Sequence, residues 1–190
     1  FLIAANGGYQ HIKTLALQPN LVIGDLDSLS ADERQAILSA GVEIKLHPPE
    51  KDETDLELAL KEAVQRKFSI ILIVAALGGR LDQTLGNLSL LAAPFLKKCI
   101  VSLEDGSTRV WLVTRQRYPA GIIIDGHRGD RVSLIAFQMA AKGILTHGLK
   151  YPLHFEDLQP FQTRGISNLM IAPSAEIRIE KGQLLVLHSR

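Results

Sequence analysis

The first half of the chain alternates short apolar runs with segments whose apolar residues recur at helical spacing. Residues 1–5 are apolar and end at Asn6-Gly7-Gly8, and residues 21–23 are apolar and end at Gly24. Residues 42–46 alternate and are closed by Pro48-Pro49, while residues 70–74 are wholly apolar and run on to Gly78-Gly79. Runs apolar on both faces predict strands covered on both sides, as in parallel sheets. Between them, Ser30 followed by Glu33 predicts a capped helix start, with Gly41 as the stop. Thr54 followed by Glu57 predicts a second capping box. Leu56, Ala59, Leu60, Ala63 and Val64 form one apolar stripe, and Leu81, Leu85, Leu88 and Ala92 form another. This alternation predicts an α/β domain with a parallel, Rossmann-like sheet.

The pattern changes around residues 94–99. Asp105-Gly106 separates two apolar runs and predicts a hairpin. Strand-like runs follow at 122–124, 131–137, 168–171, 176–179 and 184–187, with a turn at Lys181-Gly182. Short strands punctuated by turn residues predict a smaller all-β sandwich or half-barrel. The expected organisation is therefore an α/β domain over residues 1–98 and a β domain over residues 99–190.

Composition narrows the class. A net charge of +1 gives no reason for a nucleic-acid or anionic-membrane partner. No apolar run reaches membrane-spanning length. Residues 1–5 are too short for a signal sequence and lack a basic leader; a chain opening on Phe1 is read as trimmed, with part of the first strand preceding it. The single cysteine, Cys99, forms neither an internal disulfide nor a cysteine-based zinc cluster, and is read as a buried, inert thiol compatible with a reducing, cytoplasmic setting.

Chemistry-bearing residues gather where the strands of the first half end. Asp25 and Asp27 follow the second strand; two apart in extended chain, they point the same way, and hard oxygen ligands there suit Mg²⁺. Lys51-Asp52-Glu53-Thr54-Asp55 opens a helix, and Asp52 and Asp55 share a face if both are helical. Gly78-Gly79-Arg80-Leu81-Asp82-Gln83 joins a strand to a helix, so that backbone N–H groups and the Arg80 fork suit phosphate oxygens. Each cluster alone is also an ordinary turn or an acidic first turn of a helix. Neither a GxxxxGK[ST] loop nor a GxGxxG fingerprint is present. Together the clusters indicate a polyphosphate–Mg²⁺ site and leave the acceptor open.

At these residues the sequence resembles the thiamine pyrophosphokinase family. The resemblance runs in order through Asn6-Gly7-Gly8, Gly24-Asp25-Leu26-Asp27-Ser28, residues 51–57, and residues 78–83 with Asn87. It ends with Gly148-Leu149-Lys150-Tyr151-Pro152-Leu153 and Gly165-Ile166-Ser167-Asn168. It implies transfer of the diphosphate of ATP to the hydroxyl of thiamine, giving thiamine diphosphate and AMP. It also implies a homodimer whose active sites lie between the α/β domain of one subunit and the β domain of the other. By this resemblance Asp25, Asp27 and Asp55 match Mg²⁺ and diphosphate positions, and Asp52, Thr54, Arg80 and Asp82 match the polar shell around them. Lys51, Gly79, Gln83 and Asn87 fall at nucleotide or thiamine positions, and Ser167 and Asn168 on the substrate-side loop. The general base is Asp52 or Asp55; a metal-bound carboxylate is a poor base, which favours Asp52.

Two departures from the family pattern stand out. Asn6 occupies a position where Asp is usual, and Ala75-Ala76 stands where a Gly-Ala pair is common. The sole tryptophan, Trp111, lies in a predicted strand away from Ser167-Asn168, leaving Tyr151 and Phe161 as candidates to stack on thiamine, although core packing is the expected job of each. The rival readings are a pyrophosphokinase for another hydroxymethyl heterocycle, such as a pterin, and a non-catalytic nucleotide or thiamine binder.

Overall fold

The computed structural model describes all residues, Phe1–Arg190, and divides into two compact units, Phe1–Phe68 and Ser69–Arg190. In the first unit the order is β1 (Ile3–Ala5), α1 (Gly8–Thr14), β2 (Leu21–Gly24), α2 (Ala31–Ser39), β3 (Glu43–Leu46) and α3 (Asp55–Gln65). The strands form a parallel sheet in the order β1-β2-β3, with Ala4 opposite Val22 and Val22 opposite Ile44. The central strand is buried along its whole length, which is why Leu21-Val22-Ile23 reads as apolar on both faces. Ile12, Leu26, Leu29, Ile37 and Val42 gather with Ala4 and Val22 in one core. α3 packs on β1 and β2, burying Ala59, Leu60 and Ala63.

Both predicted helix starts form, with one difference. At Ser30 the box is reciprocal: the Glu33 N–H donates to Ser30 Oγ (3.2 Å), and the Ser30 N–H donates to Glu33 Oε2 (3.0 Å). At Thr54 only the Glu57 N–H to Thr54 Oγ1 bond forms (3.2 Å). The Glu57 carboxylate instead pairs with Lys61 at 2.8 Å, one turn on, where a full charge is available.

The second unit contains β4 (Ile70–Val74), α4 (Leu81–Leu90), a 3₁₀ turn at Pro94–Leu96, β5 (Ile100–Asp105), β6 (Thr108–Val113), β7 (Ile122–Asp125), β8 (Arg131–Ala136), β9 (Ala141–His147), β10 (His154–Leu158), β11 (Asn168–Leu169), β12 (Ser174–Arg178) and β13 (Leu184–Ser189). A six-stranded sheet has the order β11-β8-β13-β6-β5-β4 and a four-stranded sheet the order β10-β9-β12-β7. Val113, Val132, Leu134, Leu184 and Val186 from the first and Ile122, Ile124, Ala141, Ile144, Ala175 and Ile177 from the second share one apolar core. The hairpin at Asp105-Gly106 forms, pairing Asp105 with Thr108, and Cys99 is buried.

Several expectations are corrected. β4 and β5 are parallel, so parallel pairing continues past the point where the sequence changes character. β4 is covered on one face only: Ile73 is buried while Ile70, Leu72 and Val74 are exposed. α4 forms where its stripe predicts, but buries none of its residues, and Leu81 and Leu85 face solvent. Tyr151 and Phe161 are 60% and 84% exposed, so neither packs in the core. Strands β9 and β10 escape the sequence reading. β9 carries Lys142, Gly143, Thr146 and His147 among its apolar residues, and β10 is a polar edge strand with irregular register.

Candidate active site

The carboxyl ends of β1 and β2 bring together Asn6, Asp25, Asp27 and Ser28. The Asn6 amide donates from Nδ2 to Asp25 Oδ1 (2.9 Å) and to Asp27 Oδ1 (3.0 Å). Its own Oδ1 accepts from Ser28 Oγ (2.7 Å), so Ser28 serves Asn6 while Ser30 caps the helix. Extended chain is not what aligns the two carboxylates. Leu26 between them is left-handed (φ 59°) and buried, and the Asp27 N–H donates to Asp25 Oδ1 (3.2 Å) in an Asx turn. The hydrogen bond from Asn6, followed by the contact with Asp25, holds the Asp27 carboxyl below its ordinary pKa, so it is ionised at neutral pH.

Asp55 reaches the same strand end from α3. A side chain on Gly24 (φ 141°) would meet Asp55 Oδ1 at 2.9 Å and Asn6 Cβ at 3.0 Å, so the bare backbone there lets both residues close in. Lys51 Nζ lies 3.0 Å from Asp55 Oδ1 and donates to the Pro48 carbonyl (3.2 Å). The Lys51–Asp55 contact is an ion pair by distance but is not aligned as a hydrogen bond, and the buried Asp55 Oδ1 has no hydrogen-bond donor. Asp52 is exposed and precedes the helix, because Thr54 is the N-cap; it does not share a helical face with Asp55. Glu53, just before the N-cap, and Glu57, in the first turn, both pair with Lys61.

In the second unit, the turn after β4 carries Gly78 and Gly79, both at positive φ, then Arg80 as the N-cap of α4. Arg80 is exposed and forks onto Asp82, Nε to Oδ1 at 3.1 Å and Nη2 to Oδ2 at 2.6 Å. Asp82 Oδ1 also accepts the Gln83 N–H (2.9 Å). Arg80 first, and then this N–H, hold the Asp82 carboxyl below its usual range. Asn87 donates to the Ala76 carbonyl (2.7 Å) and Thr84 Oγ1 to the Gly78 carbonyl (3.2 Å), so one face of α4 ties down the turn.

Farther along the unit, residues 148–153 and 165–168 are knitted together. The Lys150 N–H donates to the Leu169 carbonyl (2.8 Å) and the Ile171 N–H to the Gly148 carbonyl (2.9 Å). Asn168, only 6% exposed, donates from Nδ2 to the Tyr151 carbonyl (2.7 Å), while its Oδ1 accepts the Tyr151 N–H (3.0 Å) and the Leu169 N–H (2.9 Å). Ser167 is left-handed (φ 60°), and its N–H donates to Ser133 Oγ (3.1 Å).

Comparison with known proteins accounts for this ordered set. Residues 1–103 match the family model for the thiamin pyrophosphokinase catalytic domain, and residues 122–184 match that for its vitamin B1 binding domain. The chain belongs to the thiamine pyrophosphokinase family. A thiamine pyrophosphokinase of Bacillus subtilis is 32% identical over 173 residues, 90% of this chain and 78% of that protein. The crystal structure of thiamine pyrophosphokinase from Bacillus subtilis is similar at a TM-score of 0.82 and 27% identity, covering 98% of this chain and 85% of that one. A thiamin pyrophosphokinase family protein from Enterococcus faecalis gives a TM-score of 0.85 at 27% identity, covering 99% and 87%.

The donor set fits the Mg²⁺ that this family's polyphosphate chemistry suggests. No three His, Cys, Asp or Glu side chains are gathered closely enough to hold a metal ion by themselves. Mg²⁺ is commonly held by one or two carboxylates together with substrate phosphates, and Asp25 and Asp27 supply such a pair. Asp55 Oδ1, beside Gly24 at the same strand end, accepts no hydrogen bond and is paired only with the Lys51 ammonium at 3.0 Å. Sequence reasoning missed how Gly24, Asn6 and Ser28 act. A glycine at the end of an apolar strand signals the first; nothing local signals that Ser28 turns the Asn6 amide toward two acids.

Proposed function

We propose that this protein is a thiamine pyrophosphokinase that transfers the diphosphate of ATP to the hydroxyl of thiamine, releasing AMP. The observation that carries this reading is that both family models, catalytic and vitamin B1 binding, match successive parts of one chain. The second match favours thiamine over a pterin, and the acidic set favours catalysis over simple binding. The limits of the two matches favour a functional division into a Rossmann-like catalytic part over residues 1–98 and a β-sandwich or half-barrel over residues 99–190, which differs from the compact units Phe1–Phe68 and Ser69–Arg190. The family resemblance supports a homodimer. A single, buried cysteine is compatible with a cytoplasmic setting.

Mg²⁺, when bound, neutralises charge on the phosphate oxygens; Asp25, Asp27 and Asp55 would hold it. Lys51 and Thr54 flank these acids. Arg80, released from Asp82, forks onto phosphate oxygens while the Gly79 backbone and Gln83 line the same turn, which Asn87 anchors. Asp52, exposed and free of the helix, accepts the proton of the thiamine hydroxyl as that oxygen attacks the β-phosphorus in line. Asp82 and Gln83 orient the acceptor. Ser167 and Asn168 shape the thiamine side, where exposed Tyr151 is available to stack on the ring.

Incubation with ATP, Mg²⁺ and thiamine should yield AMP and thiamine diphosphate in equal amounts; ADP as the product overturns the reading. Asp27→Asn should cut turnover by roughly a hundredfold or more with an unchanged unfolding midpoint, as expected when a group stabilising charge in the transition state is lost.

A further inference from the structure

We infer that Asn6 is a positioning residue for the Asp25–Asp27 pair: a neutral fork that assembles the two carboxylates before any divalent cation arrives and, being uncharged, gives the empty site a weaker hold on a free cation than an aspartate there would. The inference rests on the reading of Asp25 and Asp27 as metal-holding groups given above.

Both N–H bonds of the Asn6 amide are used, one on each carboxylate, at 2.9 and 3.0 Å. Two adjacent ionised carboxylates repel each other, and an amide N–H between them offsets that repulsion without carrying charge. The amide has a defined orientation. Ser28 Oγ donates to Asn6 Oδ1 at 2.7 Å, which leaves the NH₂ end facing the acids. The backbone is defined as well: Asn6 sits at φ 41°, its N–H donates to the Ile23 carbonyl (2.8 Å), and its carbonyl accepts the Tyr9 N–H (3.0 Å). Asn and Asp are the side chains that tolerate this backbone best after Gly. The fork has two consequences. The carboxylates stay paired with no ion present, and the site carries one negative charge fewer than an aspartate at position 6 would give it. Such a site takes its cation best together with a polyphosphate, whose oxygens complete the coordination.

The test measures Mn²⁺ binding to the whole 190-residue chain without nucleotide, reading free Mn²⁺ by electron paramagnetic resonance. Asn6→Asp, near-isosteric and tolerant of the same backbone, should bind Mn²⁺ about tenfold more tightly, because divalent affinity rises with ligand charge. Asn6→Ala should bind several-fold more weakly, since the carboxylates separate, and Ser28→Ala should move in the same direction by less. If Asn6→Ala does not fold, Asn6→Asp and Ser28→Ala decide the matter. Asp27→Asn serves as the reference and should lose Mn²⁺ binding. Unchanged binding in Asp27→Asn overturns the metal assignment, and the inference falls with it. Loss of binding there, with Asn6→Asp equal to the unaltered protein, overturns the inference alone.

Discussion

The Asp55 carboxylate reaches the end of the central strand only because position 24 is glycine: a Cβ there would lie 2.9 Å from Asp55 Oδ1 and 3.0 Å from the Asn6 Cβ. Gly24→Ala should therefore displace both side chains and strain a backbone at φ 141°. Misplacing an acid by about an ångström costs on the order of a hundredfold in turnover. The strained backbone should cost roughly 1–3 kcal/mol of stability. Steady-state kinetics alongside urea unfolding would separate the two effects, and a variant with normal turnover would show that Asp55 does not act from this position.

Asn168 joins two loops that are distant in sequence. Asn168→Ala leaves the Tyr151 N–H and carbonyl without their partner at a nearly buried position. Tyr151 is partly open to water, so each lost bond costs about 0.5–1.5 kcal/mol, and the unfolding midpoint should fall. If Tyr151 lies against thiamine, the KM for thiamine should rise more than kcat falls. An unchanged midpoint would mean that this tether contributes nothing.

Ala75 is exposed and left-handed at φ 55°, just before the Gly78-Gly79 turn. A non-glycine residue in that conformation costs about 1–2 kcal/mol, and the freedom that glycine adds to the unfolded chain offsets about half of it. Ala75→Gly should raise stability by about 0.5–1 kcal/mol, whereas Gly79→Ala (φ 64°, with open space around it) should lower it by a similar amount. Chemical denaturation of the two variants gives opposite signs if the backbone is the cause.

Glu33 has its carboxyl lowered from the ordinary 4.5 to about 2, first by the Lys13 ammonium, then by the Ser30 N–H and the Gln10 amide. A depressed carboxyl contributes stability above its unfolded pKa and loses it as pH falls through the folded one. The urea midpoint of the native protein should exceed that of Glu33→Gln by a constant margin from pH 7 to about 5, and the margin should vanish as pH approaches 2. A margin independent of pH would assign the effect to packing instead.

Much of the local structure was legible in the chain. Ser30 and Thr54 mark their helix starts because capping is decided within four residues. Gly106 marks its hairpin because the turn requires positive φ. Strands β9 and β10 were not legible, since burial in β9 and edge position in β10 depend on partners elsewhere in the unit. For the same reason α4 carries an apolar stripe yet buries nothing, while Tyr151 and Phe161, apolar enough for a core, stand in solvent.

By itself, the sequence determined which residue types carry the chemistry, where they sit relative to strand ends, and the family to which the ordered motifs belong. Those follow from periodicity, spacing and side-chain identity, which are local. Tertiary structure alone decided that one amide at position 6 holds two acids, that an acid from a helix reaches past a glycine to the same strand end, and that Asn168 binds the loop at Tyr151. Each of these is a contact between residues some 17 to 31 positions apart, fixed by the packing of β2, α3 and the β-strands of the second unit. No local signal encodes such a contact, because its free energy exists only once the chain has brought its ends together.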